Sequence, residues 1–211
     1  MDLLELLEHP DQRIRQEAQF ALAEKGAPAI GALAGLLSRQ GATIPRLHAI
    51  WGLGQLARRN PSAASAILLS MDDRDAEVRA QAARTLGDLR SESAEESMIS
   101  MLADKKARPR FFAAIGLGRL RSTRATTHII ELLKSNADKD VYIRHACVMA
   151  LTNTTETDSL LQLSDHASRS VRMGVLLALR KQRAPALVRF FKDSDQQIAI
   201  EAVRAAYDTF M

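Results

Sequence analysis

The sequence predicts an all-α solenoid of about seven helix pairs, and three observations carry that prediction. One short phrase returns at a nearly constant interval along all 211 residues. Within each interval, apolar residues fall at spacings of three and four, the period of a single helical face. Hydrophobic residues make up 46% of the chain but aromatics only 4%. The interior must therefore be filled by Leu, Ala, Ile and Val, which suit close helix–helix packing. Nowhere does two-residue alternation persist for the length of a strand.

The clearest copy of the phrase reads Asp75-Ala-Glu-Val78-Arg79-Ala-Gln-Ala82-Ala-Arg-Thr-Leu86-Gly87-Asp-Leu89. Aligned on its arginine, it recurs at Arg15, Arg46, Arg79, Arg110, Arg144 and Arg172, and finally at Ala199, in steps of 31, 33, 31, 34, 28 and 27 residues. Repetition at a period of 20–50 residues means that each unit buries its apolar face only against its neighbours. No linker or low-complexity stretch interrupts the series, so residues 1–211 are expected to form one continuous domain.

Each unit begins with a Leu-rich helix. Its stripe is Leu3, Leu4, Leu6 and Leu7 in the first copy and Ile30, Leu33, Leu36 and Leu37 in the second. Met98, Ile99, Met101 and Leu102 serve the fourth, and Leu187, Val188, Phe190 and Phe191 the last. A polar turn follows, such as His9-Pro10-Asp11, Asp72-Asp73-Arg74-Asp75, Asp138-Lys-Asp140 or Asp193-Ser-Asp195. An aspartate there can accept from the orphan amides of the next helix start. Pro45 and Pro109 sit beside their arginines, a place tolerated in a first helical turn, so they mark where the second helix begins. That helix buries Val78, Ala82, Thr85, Leu86 and Leu89 in copy three and Pro109, Ala113, Gly116, Leu117 and Leu120 in copy four.

Composition narrows function only by exclusion. The formal charge is +4, which permits an anionic partner without requiring one. No apolar run approaches the roughly 18 residues of a membrane span, and the opening Met-Asp-Leu-Leu-Glu-Leu-Leu lacks the regions of a signal peptide. Cys147 stands alone, leaving no disulfide framework and no cysteine-based metal cage.

The phrase Asp-x-x-Val-Arg-x-x-Ala-x-x-Ala-Leu-Gly-x-Leu resembles the HEAT repeat, in the short bacterial form also seen in phycobilin-lyase-like proteins. The match is specific in copies one, three, four and five. Copies two, six and seven depart from it, with Ala42 and Ser168 at the turn acid and Ala199 at the arginine. The resemblance implies a right-handed α-α superhelix with second helices on its concave side, and an arginine–aspartate ladder tying adjacent units together. Acids such as Asp11, Asp75 and Asp140 are the expected partners of the nearby arginines. Stretches such as His9-Pro-Asp-Gln-Arg-Ile-Arg-Gln-Glu-Ala18 and Asp140-Val-Tyr-Ile-Arg-His-Ala146 also look like the HEAT segment of very large bacterial proteins. Those carry a dehydrogenase domain before the repeats and a c-type cytochrome domain after them. By that likeness, together with an abrupt start at Met1 and an apolar end at Tyr207, Phe210 and Met211, the segment is expected to be excised from a longer chain. Its compartment would then be the periplasm or cell envelope, and otherwise the cytoplasm.

Two surface features remain. Positions two and six after the first buried residue of each second helix point away from the core. The earlier row reads Gln16, Leu47, Ala80, Phe111, His145, Met173 and Ile200; the later row reads Phe20, Trp51, Arg84, Ile115, Met149, Leu177 and Arg204. Leu47 with Trp51, Phe111 with Ile115, His145 with Met149, and Met173 with Leu177 are i,i+4 neighbours. They are the predicted lining of a partner-binding groove, with Trp51 and Phe111 as anchors; the competing reading buries them between neighbouring second helices. The second feature is a basic run, with Lys105, Lys106, Arg108, Arg119 and Arg121 as a candidate anion-binding set and a solvated edge as the plainer alternative.

No motif supplies catalytic, cofactor-binding or metal-ligating residues. His9, His48, His128, His145 and His166 show no ligand spacing. Gly52-Leu-Gly54 and Gly116-Leu-Gly118 read as close-packing positions, and Cys147 as a core thiol. Tyr142, Arg144 and His145 form one polar trio, best read as a helix start. The expected function is a non-catalytic scaffold or inter-domain spacer that docks a protein partner or the flanking domains of its own chain. The alternative is a nucleic-acid-binding HEAT protein of the DNA glycosylase type, disfavoured by the apolar outward row and by the absence of a carboxylate beside a Trp-lined slot. Bilin lyase activity rests on repeat likeness alone.

Overall fold

The computed structural model describes residues 2–38 and 41–210. Met1 and Met211, invoked above for the chain ends, lie outside the described residues, as does the Phe210 side chain. The chain divides into two compact units, one ending at Gly116 and the other beginning at Leu117. Among the described residues there is no strand, and no helix is long and apolar enough to cross a membrane.

The helix pairs follow the phrase. In the first unit they are α1 (Leu3–Leu6) with α2 (Gln12–Glu24), α3 (Pro28–Leu37) with α4 (Thr43–Ala57), and α5 (Ser62–Leu68) with α6 (Ala76–Asp88). The fourth pair is α7 (Glu95–Met101) with α8 (Ala107–Leu120), and the division of the chain falls inside α8. The second unit continues with α9 (Thr126–Asn136) and α10 (Val141–Thr154), then α11 (Thr157–Leu161) and α12 (Arg169–Lys181). It closes with a 3₁₀ segment over Pro185–Lys192 followed by α13 (Gln196–Phe210).

Second helices keep 13 to 15 residues throughout, whereas the first helix falls from eleven residues in the fifth copy to five in the sixth and becomes 3₁₀ in the seventh. The short steps of 28 and 27 residues are thus absorbed by the first helix. A 3₁₀ helix rises about 2.0 Å per residue against about 1.5 Å for an α-helix. Eight residues over Pro185–Lys192 therefore span about the same length as the eleven of α9.

Most of the predicted stripes form the core: Leu33, Ile67, Met98, Ile129, Leu160 and Leu187 from first helices are all fully buried. Val188 and Phe191 of the last stripe are exposed, because the 3₁₀ turn of that copy aligns residues every third position and leaves them off the buried line. Val78, Ala82 and Leu86 of α6 are also fully buried, and Cys147 occupies the position equivalent to Ala82. Small residues stand where helices touch. A methyl group added to Gly87 would lie 2.7 Å from the Gly116 Cα, and one on Gly118 would lie 2.9 Å from the Ala150 Cα.

The ladder exists, but its acids are not the ones expected. Asp11, Asp75 and Asp140 are N-caps, accepting from the amides of Arg13, Glu77 and Tyr142. The arginine instead reaches the next repeat, to the acid two residues ahead of that repeat's cap position. Arg79 grips Asp104 through two bonds of 2.7 and 3.0 Å, Arg172 grips Asp193 through two of 2.8 and 3.0 Å, and Arg46 pairs with Asp73. Another amine of the same guanidinium donates to carbonyls of its own turn, Asp73 for Arg79 and His166 for Arg172. The acid also accepts a turn amide: Lys106 donates to Asp104, and Asp195 to Asp193. Burial pushes the Asp104 and Asp193 carboxyls up, but the arginine bonds outweigh it with the help of the turn amides, and both end below the ordinary carboxylate value.

Where the acid is missing, the clasp changes. His9 and His166 occupy the acid's position and accept the turn amide through Nδ1. With a histidine ahead of it, Arg144 turns back to Asp138, which also takes Arg169.

Arg79 and Asp104 have side chains only 17% and 9% exposed, so stranding one of them leaves a mostly buried charge. Asp104→Ala is expected to cost about 3 kcal/mol in denaturant unfolding. Arg189→Ala, which breaks a surface pair exposed at 57% and 79%, should cost under about 1 kcal/mol. Equal losses would contradict the clasp's structural role.

Candidate docking surface on the second helices

The later outward row is open in every repeat. Phe20, Arg84 and Arg204 are exposed, and Trp51, Ile115, Met149 and Leu177 are half-buried. The earlier row is mixed. Gln16, His145 and Ile200 are exposed, Leu47 and Phe111 are half-buried, and Ala80 and Met173 are buried. Met173 therefore leaves the predicted lining: its side chain is packed among neighbouring residues and 9% exposed, and only Leu177 of its pair faces outward.

In the first unit, the row carries a hydrogen-bonded chain of side chains. The Trp51 indole N–H donates to Gln81 Oε1 at 3.1 Å, and the Gln81 amide donates to Glu77 Oε1 at 2.8 Å. Glu77 in turn takes Arg108 at 2.6 Å, and the Arg108 and Arg84 guanidinium groups stand over the Phe112 ring at 5.3 and 5.7 Å. Phe111 meets Phe112 edge to face at 5.1 Å. Trp51 and Phe111 are thus fixed rather than loose, which suits aromatic anchors. Gln81, Glu77 and Phe112 were missed because the outward rows are read within one helix, whereas the Trp51–Gln81 and Glu77–Arg108 bonds run between repeats.

Two hollows flank this row. One of about 300 Å³ is lined by Trp51, Arg58, Gln81, Arg84 and Asp88; another of about 530 Å³ is lined by Phe20, Glu24, Gln55 and Arg59. Asp88 corrects the expectation that no carboxylate lies beside the tryptophan. It comes from α6, one repeat on, and sequence spacing alone did not place it there.

Beneath Trp51 lies a buried polar chain. The His48 ring packs edge-on against Trp51 at 5.1 Å. Its Nδ1 meets Gln19 Oε1 at 2.8 Å, while Arg15 Nε donates to its Nε2 at 3.2 Å. Accepting from Arg15 while donating to Gln19 requires the neutral ring. Burial, and secondarily the Arg15 charge, hold its pKa below the ordinary 6.5.

In the second unit, a hollow of about 690 Å³ runs along α10 and the end of α12. His145, Met149 and Leu177 of the predicted lining meet there, joined by Val148, Arg180 and Arg183. Of the polar trio, Tyr142 is 73% exposed at the start of α10, Arg144 is paired with Asp138, and Arg144 and His145 line this hollow.

The candidate anion-binding residues are divided between the units. Lys105, Lys106 and Arg108 belong to the first, where all three are exposed and Arg108 is paired with Glu77; Arg119 and Arg121 are exposed in the second. Arg121 shares one feature with Arg90 and Arg183: each holds a positive φ, between 52° and 57°, just past a second helix. In copy one the equivalent turn uses Gly26, at φ 71°.

Comparison with known proteins fits this geometry. Residues 64–152 match the family model described as HEAT repeats. No curated protein matches the chain. Among solved structures it is similar to the complex of CpcE and CpcF of phycocyanin lyase from Nostoc sp. PCC7120, at 19% identity over 99% of this chain and 93% of that one, with a TM-score of 0.58. It is also similar to the YibA protein of E. coli, at 19% identity over 96% and 80%, with a TM-score of 0.62. An engineered protein matches at 20% identity over 98% and 94%, with a TM-score of 0.54. These likenesses establish the fold class, an all-α helical-repeat solenoid.

The neutral His48 gives a pH signature. The unfolded chain binds a proton near 6.5 while the folded one resists it, so stability holds above about 6.5 and falls as pH drops below it. The depressed carboxyls act only below about 3.8, outside that window. Thermal unfolding between pH 7 and 5 should show a decline that His48→Gln flattens; identical slopes would contradict the assignment.

Proposed function

We propose that this chain, which carries HEAT repeats over residues 64–152, is a non-catalytic scaffold that docks a protein partner on the outward face of its second helices. One observation carries the reading. The later outward row is left exposed or half-buried in all seven repeats, and three hollows along the second helices include members of it. Repeat arrays recognise partners through an extended surface rather than a single pocket. Half-exposed aromatics set in hydrogen-bonded surroundings are the usual energetic centres of such surfaces. In the first unit these are Trp51 and Phe111, with Leu47 and Ile115 beside them.

The test is affinity capture from an extract of the source organism, using wild type and the variants Trp51→Glu, Phe111→Glu and Phe20→Glu. Helicity and Tm are measured for each. A partner held by wild type should fall at least tenfold with Trp51→Glu and Phe111→Glu at unchanged helicity. Phe20→Glu, at an exposed position, keeps the test valid should Trp51→Glu unfold the second repeat. Retention of the partner by folded Trp51 and Phe111 variants would overturn the reading, as would salt-sensitive binding of duplex DNA with no protein captured.

A further inference from the structure

We infer that the hollow on α10 and α12 is a binding groove for an acidic peptide segment with an aliphatic centre, a specificity that rests on the scaffold reading above. Three observations converge on it.

The first is shape. The lining runs along α10 from Val141 to Asn153, about 18 Å at 1.5 Å per residue. An extended strand covers that length with five or six residues at about 3.3 Å each.

The second is the order of chemistry along that length. Arg144 and His145 stand toward one end, and Val148, Met149 and Leu177 form the middle. Arg180, Lys181 and Arg183 gather at the other end, where the Gln182 amide donates to the carbonyls of Thr152 and Thr155 and so fixes the end of α12 against that of α10. An apolar floor between two basic ends suits acid–aliphatic–acid.

The third is charge. Four cations in the lining face one acid, Asp208, and Arg180 already holds that acid while also bonding Glu201. Arg144 is engaged with Asp138. Lys181 and Arg183 are exposed and make no ion pair among the described residues. Arg183 also occupies a left-handed backbone position, φ 55°, which strains a side-chain-bearing residue and not glycine. A guanidinium placed there at that cost offers a fork that matches a carboxylate. Single-stranded nucleic acid is the poorer occupant, because such sites stack successive bases on aromatic rings and the lining offers only the His145 imidazole, with no Phe, Tyr or Trp.

The experiment is fluorescence anisotropy on the 211-residue protein with fluorescein-labelled Glu-Asp-Leu-Leu-Asp-Glu. Controls are the same peptide with Ser for Leu, the peptide with Lys for every acid, and a single-stranded DNA oligonucleotide. The acidic Leu peptide should bind, should weaken with added salt, and should outbind the Ser peptide several-fold and the Lys peptide at least tenfold. Lys181→Glu with Arg183→Glu should weaken it at least tenfold. Arg183→Gly should weaken it several-fold at equal or higher Tm, since glycine relieves the backbone strain. Lys105→Glu with Lys106→Glu, in the other unit, should leave it unchanged. The inference fails if the Lys peptide binds as well, if the oligonucleotide binds more tightly, or if the Lys181 and Arg183 changes have no effect. It also fails, while the scaffold reading stands, if no acidic peptide binds yet the Trp51 and Phe111 variants still release a captured partner.

Discussion

The arginine clasp between one repeat and the next is the constraint on which the surface depends. Apolar contact between Leu- and Ala-rich stripes is non-directional, and a stripe with residues every three or four positions tolerates sliding by a helical turn. A guanidinium fork does not. Arg79 fixes its own turn through the Asp73 carbonyl and the next turn through both oxygens of Asp104. Asp104 in turn receives the Lys106 amide. One side-chain pair thus ties two turns and a helix start, and it does so where backbone amides would otherwise lack partners.

With register fixed, the outward row becomes predictable in position and free in chemistry. Position six after the first buried residue is exposed or half-buried from Phe20 to Arg204, and never buried. Selection on side chains there leaves the fold alone. The first unit fills the row with Trp51 and Ile115, tied in by Gln81 and Arg108; the second fills it with Met149 and Leu177 beside basic residues.

Much of this was legible from spacing. The period, the buried stripes, the Asp caps and the outward rows all follow from helical geometry applied to a repeated phrase. Which acid the arginine would choose did not follow: Asp73 and Asp75 are chemically equal in the sequence, and only the cap geometry engages Asp75 with Glu77 and frees Asp73 for the neighbouring Arg46. The burial of Met173 was equally out of reach, since it depends on what the adjacent helices place over it. The 3₁₀ first segment of the last copy was foreshadowed by the step of 27 residues, although only its rise per residue explains how eight residues fill the place of eleven.

Arginine at the left-handed turns is the least economical feature of the chain. Gly26 shows the unstrained solution, and Arg90, Arg121 and Arg183 decline it. A cation beside a helix C-terminus gains typically 0.3–1 kcal/mol from the macrodipole, which offsets part of the backbone cost but would be gained equally by a residue one position earlier, with no strain. Lys181, already in the last turn of α12, supplies that gain in the sixth repeat. The charge at Arg183 is therefore redundant for the helix, and in the proposed groove it serves the lining that it shares with Leu177 and Asp208.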